Sequence, residues 1–364
     1  MDSSPHEPGE DAPPIHRTPK PRVEGLDLAR GLAVLGMVLV NFELALGAGA
    51  TGTSLSGPVQ GRASALFVVL AGVGIWLISQ SRAAGARATL LRRGVVLLGG
   101  GLLLFTVWPA DILHFYGLWF LMAGLLAGAT ARTYAVLGIV TCFAFPALLA
   151  LGIDYERHWN FGTLEYASPW SADGLLRHLL FNGFHPTVPW FAFLCAGFAL
   201  APKLLAERAP LLRIAAISGA IAAGTEWIFR SLSASAGSLD EEALLNTASM
   251  PPTPPYIVAA GATAICALAL CLATSKRLLR PGPLHTPFRL VASAGRFALT
   301  LYVGHVLVGI LPFHLDPAAP PKWGSPSVAL WWLAWCTLAF AAAAFAESRG
   351  KRGPLEVLFR RLGG

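Results

Sequence analysis

Ten apolar stretches follow one another along the chain, at 26–47, 62–81, 94–109, 111–129, 133–152, 186–206, 211–229, 255–275, 290–312 and 327–346. A bilayer core about 30 Å thick needs about 20 mainly apolar residues per helical span. It tolerates no open sheet edge, because no water is present there to pair the backbone. The runs therefore read as helices, and the chain as an all-α, polytopic integral membrane protein with about ten transmembrane helices. Composition points the same way: with 55% of its residues hydrophobic and 13% charged, a globule of this length could not be covered by polar groups. Only Trp108-Pro109-Ala110-Asp111 divides the third run from the fourth; the proline removes a backbone donor and favours a tight reversal.

Lysine and arginine fall in alternate connections. They occur as Lys20 and Arg22 before the first span, Arg82, Arg87, Arg92 and Arg93 after the second, then at Arg132, around Lys203, around Lys276, and after Arg349. An excess of these residues in short loops marks the cytoplasmic side, so both termini are expected there, in the cell (inner, plasma) membrane. The division is then a disordered, Pro-rich cytoplasmic tail at 1–24, a transmembrane domain at 25–348 and a basic cytoplasmic tail at 349–364. The net charge of +7 reads as this bias plus attraction to anionic membrane lipid, and no nucleic acid is expected as partner. The five cysteines lie singly inside apolar runs without metal-ligand spacing, so they read as small buried hydrophobes and no metal is expected.

Charges within spans are costly and usually have a partner or a task. Asp27 and Arg30 share a helical face near the cytoplasmic end and can pair there, fixing topology. Arg296 also lies in the cytoplasmic half, and Arg30 with Arg296 could hold a phosphate-bearing ligand entering from inside. The outer half carries Asn41, His114, His185 and His305 on four separate elements. Asp111 and His114 share a face, and a carboxylate beside an imidazole fixes its tautomer and raises its basicity. Glu43 and Glu226, on the same side, serve as acid/base groups or simply face water. The expectation is that at least two of the three imidazoles, with Asn41, line one outer cavity connected to the arginine-lined pocket.

Several stretches together carry a family resemblance. They are Asp27-Leu-Ala-Arg30-Gly31 running to Asn41, Asp111-Ile-Leu-His114-Phe-Tyr-Gly117, His185-Pro-Thr-Val-Pro189-Trp190, and Gly295-Arg296-Phe-Ala-Leu-Thr300-Leu-Tyr302-Val-Gly-His305, with Gly61-Arg62 through Gly72 fitting as well. Most of 22–312 resembles the heparan-alpha-glucosaminide N-acetyltransferase and YeiB-like (DUF418-type) transmembrane acyltransferases. The resemblance implies that residues 25–348 form an acyltransferase-like domain. It would move an acetyl or other acyl group from acetyl-CoA on the cytoplasmic side to a carbohydrate or other polar acceptor outside. It further implies Asn41 as oxyanion donor, a catalytic set completed by Asp111, His114, His185 and His305, and coenzyme contacts at Asp27, Arg30, Arg62, Arg296 and Tyr302. These acetyltransferases place a catalytic histidine in the loop between the first two spans, whereas 42–61 holds none here; one of the three histidines then substitutes as base, or the architecture serves another task. The alternative is a transporter or lipid-handling protein using the same groups as a proton or anion relay. The oligomeric state is left open, a homodimer included.

Overall fold

The computed structural model describes residues 22–47, 54–81, 85–160, 165–282, 285–314 and 323–364. Helices α1 (Glu24–Leu46), α2 (Arg62–Ser81), α3 (Ala86–Phe105), α4 (Leu113–Leu125) and α5 (Ala131–Ala150) lead to a short antiparallel pair, β1 (Trp159–Asn160) and β2 (Glu165–Tyr166). Helix α6 (Ala172–Arg177) runs into a π-helical turn at His178–Asn182. Then come α7 (Thr187–Leu204), α8 (Leu211–Ser233), α9 (Leu239–Leu245) and α10 (Pro254–Leu278). Helix α11 (His285–Arg296) is followed by α12 (Ala298–Gly304), a π-helical turn (His305–Ile310) and α13 (Leu311–His314), and the chain closes with α14 (Ser325–Ser348) and α15 (Pro354–Gly363).

Eight of the described helices, α1, α2, α3, α5, α7, α8, α10 and α14, are long and apolar enough to cross a membrane. Helix α4 is a shorter apolar helix, and α11 with α12–α13 forms a pair bent by 80°. All ten apolar runs thus become helical segments of a multi-pass membrane protein, with two differences from the sequence reading. Helix α3 begins at Ala86, so Arg87, Arg92 and Arg93 lie in its first turns and not in a loop. The ninth run is not one straight span, because it breaks at Phe297, between Arg296 and Ala298.

Helix α1 is the axis of the bundle, packing on α2, α10, α11 and α14, and Leu28, Ala29, Val38 and Phe42 on it are almost completely buried. Two crossings depend on missing side chains. A Cβ at Gly31 would collide with the Val291 carbonyl, and one at Gly295 with the Asp27 carbonyl, so α1 and α11 touch backbone to backbone. In the same way Gly101 of α3 leaves room for the backbone of His114. The insertion between α5 and α7 is organised by Asn182, whose amide donates to the carbonyls of Tyr155 at 3.0 Å and Arg157 at 2.8 Å and whose Oδ1 accepts the Tyr166 hydroxyl at 2.9 Å. That clasp fixes the π-helical turn carrying His178.

Candidate functional site

A cavity of about 1920 Å³ opens between α1, α2, α8 and the segment that follows α8. Its wall includes Asn41, Arg62, His185, Trp190, Glu226 and Tyr302. Asn41 is only 8% exposed, and its Nδ2 lies 2.9 Å from Nε2 of the fully buried His305. His305 Nδ1 faces the Tyr302 carbonyl, one turn earlier on the same segment. A carbonyl can only accept, so Nδ1 carries the proton and Nε2 accepts from the Asn41 amide. The amide plane is thereby set, with one N–H on His305 and the amide also bonded to the Tyr302 hydroxyl. The widened turn that begins at His305 is of a kind frequent at functional sites.

A second buried chain comes from the α3–α4 reversal. Asp111 Oδ2 accepts from the His114 backbone N–H at 3.2 Å and lies 2.9 Å from His114 Nδ1. His114 Nε2 in turn lies 3.3 Å from His178 Nε2. With the Asp111 carboxylate holding a proton on His114 Nδ1, Nε2 of His114 is the acceptor and His178 must donate. All three side chains are fully buried. Burial first, then the neighbouring imidazoles of His114 and His185, hold His178 well below the ordinary imidazole range. The two chains meet at Tyr302, whose hydroxyl accepts from the Ile112 N–H at 3.1 Å and interacts with both the Asp111 carboxylate and the Asn41 amide. Among the described residues, Asp111 Oδ1, His178 Nδ1 and His185 Nδ1 are buried without a hydrogen-bond partner. His185 stands edge-on to Trp190 at 4.6 Å, and burial, with His114 second, pushes it down to about 3, so it is neutral near pH 7.

The predicted site residues divide into two groups. Asn41, His185, Tyr302 and Arg62 line the cavity, while His305 stands behind Asn41 and Tyr302 and His114 is packed between Phe105 and Phe115. Thus one of the three imidazoles reaches the cavity where at least two were expected, because His114 and His305 are fully buried behind it. Arg62 and Tyr302, expected beside the coenzyme with Arg30, lie instead with Asn41. Arg62 is ion-paired to Glu226, which also accepts from Thr247 at 2.6 Å. Arg30 and Arg296 each have an ion-pair partner of their own. Arg30 pairs with Asp27 at 2.9 Å, and Arg22 takes the same carboxylate. Arg296 instead pairs with Glu347 at 2.7 Å and bonds Ser293 at 3.1 Å. Glu43 is neither solvent-facing nor poised as a base, since it accepts from Ser54, from Ser56 and from the backbone N–H groups of Leu55 and Ser56. Among the described residues no group of three or more His, Cys, Asp or Glu is arranged to hold a metal ion. His178 is the residue the sequence reading missed; it lies in a polar insertion with no helical period to mark it.

A search of curated proteins found no match. Two family models do match. Residues 203–363 fit the protein of unknown function family DUF418. Residues 22–228, which hold Asn41, the Asp111–His114–His178 chain and His185, fit the model of the heparan-alpha-glucosaminide N-acetyltransferase catalytic region. With more than half its length and most of the cavity wall inside that match, the chain belongs to the heparan-alpha-glucosaminide N-acetyltransferase catalytic family.

Proposed function

We propose that the protein transfers an acyl group, acetyl in the first instance, from acyl-coenzyme A to an amine or hydroxyl of a polar acceptor such as a sugar. The reacting carbonyl would sit at the Asn41–Tyr302 wall and the acceptor in the cavity. The acceptor nitrogen or oxygen attacks the thioester carbon, the new C–N or C–O bond forms, and the C–S bond breaks to release the coenzyme thiolate. Negative charge that develops on the carbonyl oxygen is met by the Asn41 amide, already oriented by His305 and shifting its second N–H from the Tyr302 oxygen to the reacting one, so little reorganisation is needed as the charge appears. The proton lost by the nucleophile passes to the Tyr302 hydroxyl oxygen as that group's own proton moves to Asp111, and finally to the leaving thiolate. His114, backed by His178, keeps the Asp111 carboxylate aimed. In this reading the cavity opens on the extracytoplasmic side and both termini are cytoplasmic.

The observation that carries this reading is the meeting, in the wall of one cavity, of an imidazole-oriented amide and a carboxylate-backed phenol. The test is coenzyme A release by the purified protein in nanodiscs, given acetyl-CoA and a panel of amino sugars and sugar alcohols. Acceptor-dependent release that Asn41→Ala abolishes is expected. A folded protein that releases no coenzyme with any acceptor, yet moves solute into proteoliposomes, would replace this reading with the transporter one, which the 80° break at Phe297 favours.

A further inference from the structure

The segment after α14 does more than carry basic charge. Residues 354–363 form α15, an amphipathic helix that packs on α3 and α12. At one end Arg93 of α3 holds it, donating to the Gly364 carbonyl at 3.2 Å and stacking its guanidinium over Phe359 at 5.4 Å. At the other end Glu356 reaches the start of α12. Its Oε1 accepts from the backbone N–H groups of Leu299 at 2.8 Å and Thr300 at 3.1 Å, and its Oε2 from the Thr300 hydroxyl. The Thr300 hydroxyl in turn accepts from the Leu355 N–H at 3.1 Å.

The first N–H groups of a helix have no partner inside it and need an acceptor from elsewhere. Here the chain breaks by 80°, no side chain at Phe297 caps α12, and the acceptor comes from a residue more than fifty positions later. A carboxylate in this place also matches the positive end of the helix dipole. The closeness is built in: a Cβ at Gly353 would lie 2.6 Å from Thr300 Oγ1 and would collide with the Glu356 carboxylate. Tyr302 and His305 follow within two turns of the capped end. Helix α3, which anchors the far end of α15, packs closely on α4, which carries His114 in its first turn and follows directly on Asp111.

We propose that Glu356 is a positioning residue: α15 is a latch that fixes the start of α12 against α3, and so sets the Tyr302 hydroxyl against Asp111 and His305 against Asn41. The kinetic part of its test rests on the acyl-transfer reading above; the structural part does not. The reporter is the Ile112 amide, which donates to Tyr302 Oη and lies on a different element from α12 and α15.

Hydrogen exchange on the full chain in nanodiscs, resolved to single amides, compares wild type with Glu356→Ala, Gly353→Ala and Glu356→Gln. The first two are expected to speed exchange about tenfold at 299–305 and at Ile112. Glu356→Gln, whose amide oxygen still accepts both N–H groups, is expected to stay within about threefold of wild type. In a transfer assay the first two variants lower kcat by about 10²-fold with both KM values unchanged, as expected for misplaced but intact groups. Loosening confined to 353–363, with Ile112 unmoved, would overturn the latch. So would a uniform rise in exchange across all helices in all three variants. A wild type that transfers no acyl group would sink the proposed function, while the exchange comparison would still decide the latch.

Discussion

The two ends of the α1 axis use buried polar groups in opposite ways. At the Arg30 end each carboxylate is saturated by cations: Asp27 takes Arg22 and Arg30, and Glu347 takes Arg296, Arg289 and the Ser293 hydroxyl. Such pairs repay the desolvation of their own charges and leave nothing over, so they speak for the fold and not for a task. At the Asn41 end, groups are held through one valence and present another. Asn41, held by His305, faces the cavity, and Asp111 Oδ1 and His185 Nδ1 have no partner. A charge within a span marks a working site only where capacity is left after its own partners are satisfied.

The largest expected effect tests the working end. Removing an oxyanion donor typically lowers kcat by about 10²–10³, or about 2.7–4 kcal/mol, and Asn41→Ala should do the same to acceptor-dependent coenzyme release while the protein stays folded. Retention of more than a tenth of wild-type kcat would make the Asn41 end no more functional than the paired one.

Next comes the paired end, read as a packing joint. Gly295→Ala places a methyl against the Asp27 carbonyl and should cost about 1–3 kcal/mol as overpacking. It would appear as a lower midpoint of thermal unfolding in detergent. Gly74→Ala on α2, where a Cβ meets nothing within 4 Å, is the control and should be neutral or slightly stabilising. Equal effects from the two would mean that the α1–α11 crossing tolerates separation.

A smaller effect, in pH, returns to the cavity wall. His185 is held near 3 in the folded protein against an ordinary 6.5, so it stays neutral in the folded state where the unfolded chain takes up a proton. Its contribution to stability is complete above about pH 6.5 and is lost as pH falls from there toward 3, with a slope of at most about 1.4 kcal/mol per pH unit. His185→Phe should flatten the acid limb of stability against pH by up to that slope. An unchanged acid limb would mean that the imidazole, open to the cavity, takes up its proton in the folded state as readily as in the unfolded one.

Much of this architecture was legible in the sequence because hydrocarbon imposes one rule on every span. The ten apolar runs, Asn41, and the Asp111–His114 spacing could be read from length and helical period alone. The Asp27–Arg30 pair was visible for the same reason. What escaped depends on contacts between distant segments. Nothing local in 153–185 says that the chain folds back to bring His178 against His114. Nor does the period of the ninth run show that it breaks at Phe297. The start of α3 was obscured because its own arginines look like loop residues. A signal did exist for α15: Leu355, Leu358, Phe359 and Leu362 recur at helical spacing within the basic tail, the pattern of a helix with one face to bury.

The smallest expected effect decides whether the contrast between the two ends is complete. If the Arg30 end only pairs charges, Arg30→Gln leaves Asp27 still bonded to Arg22, and Gln can donate one neutral hydrogen bond in the place of the guanidinium. The Arg30 side chain is 33% exposed, so water screens the lost charge, and the cost should be about 1 kcal/mol or less in stability. The KM for acyl-CoA should stay within about twofold, since an arginine engaged with its own carboxylate has little to offer a phosphate. A tenfold rise in KM, about 1.4 kcal/mol, with stability unchanged, would mean that the Asp27 pair opens to receive the coenzyme. Capacity would then be hidden in the pairing itself, and both ends of α1 would be parts of one reaction path.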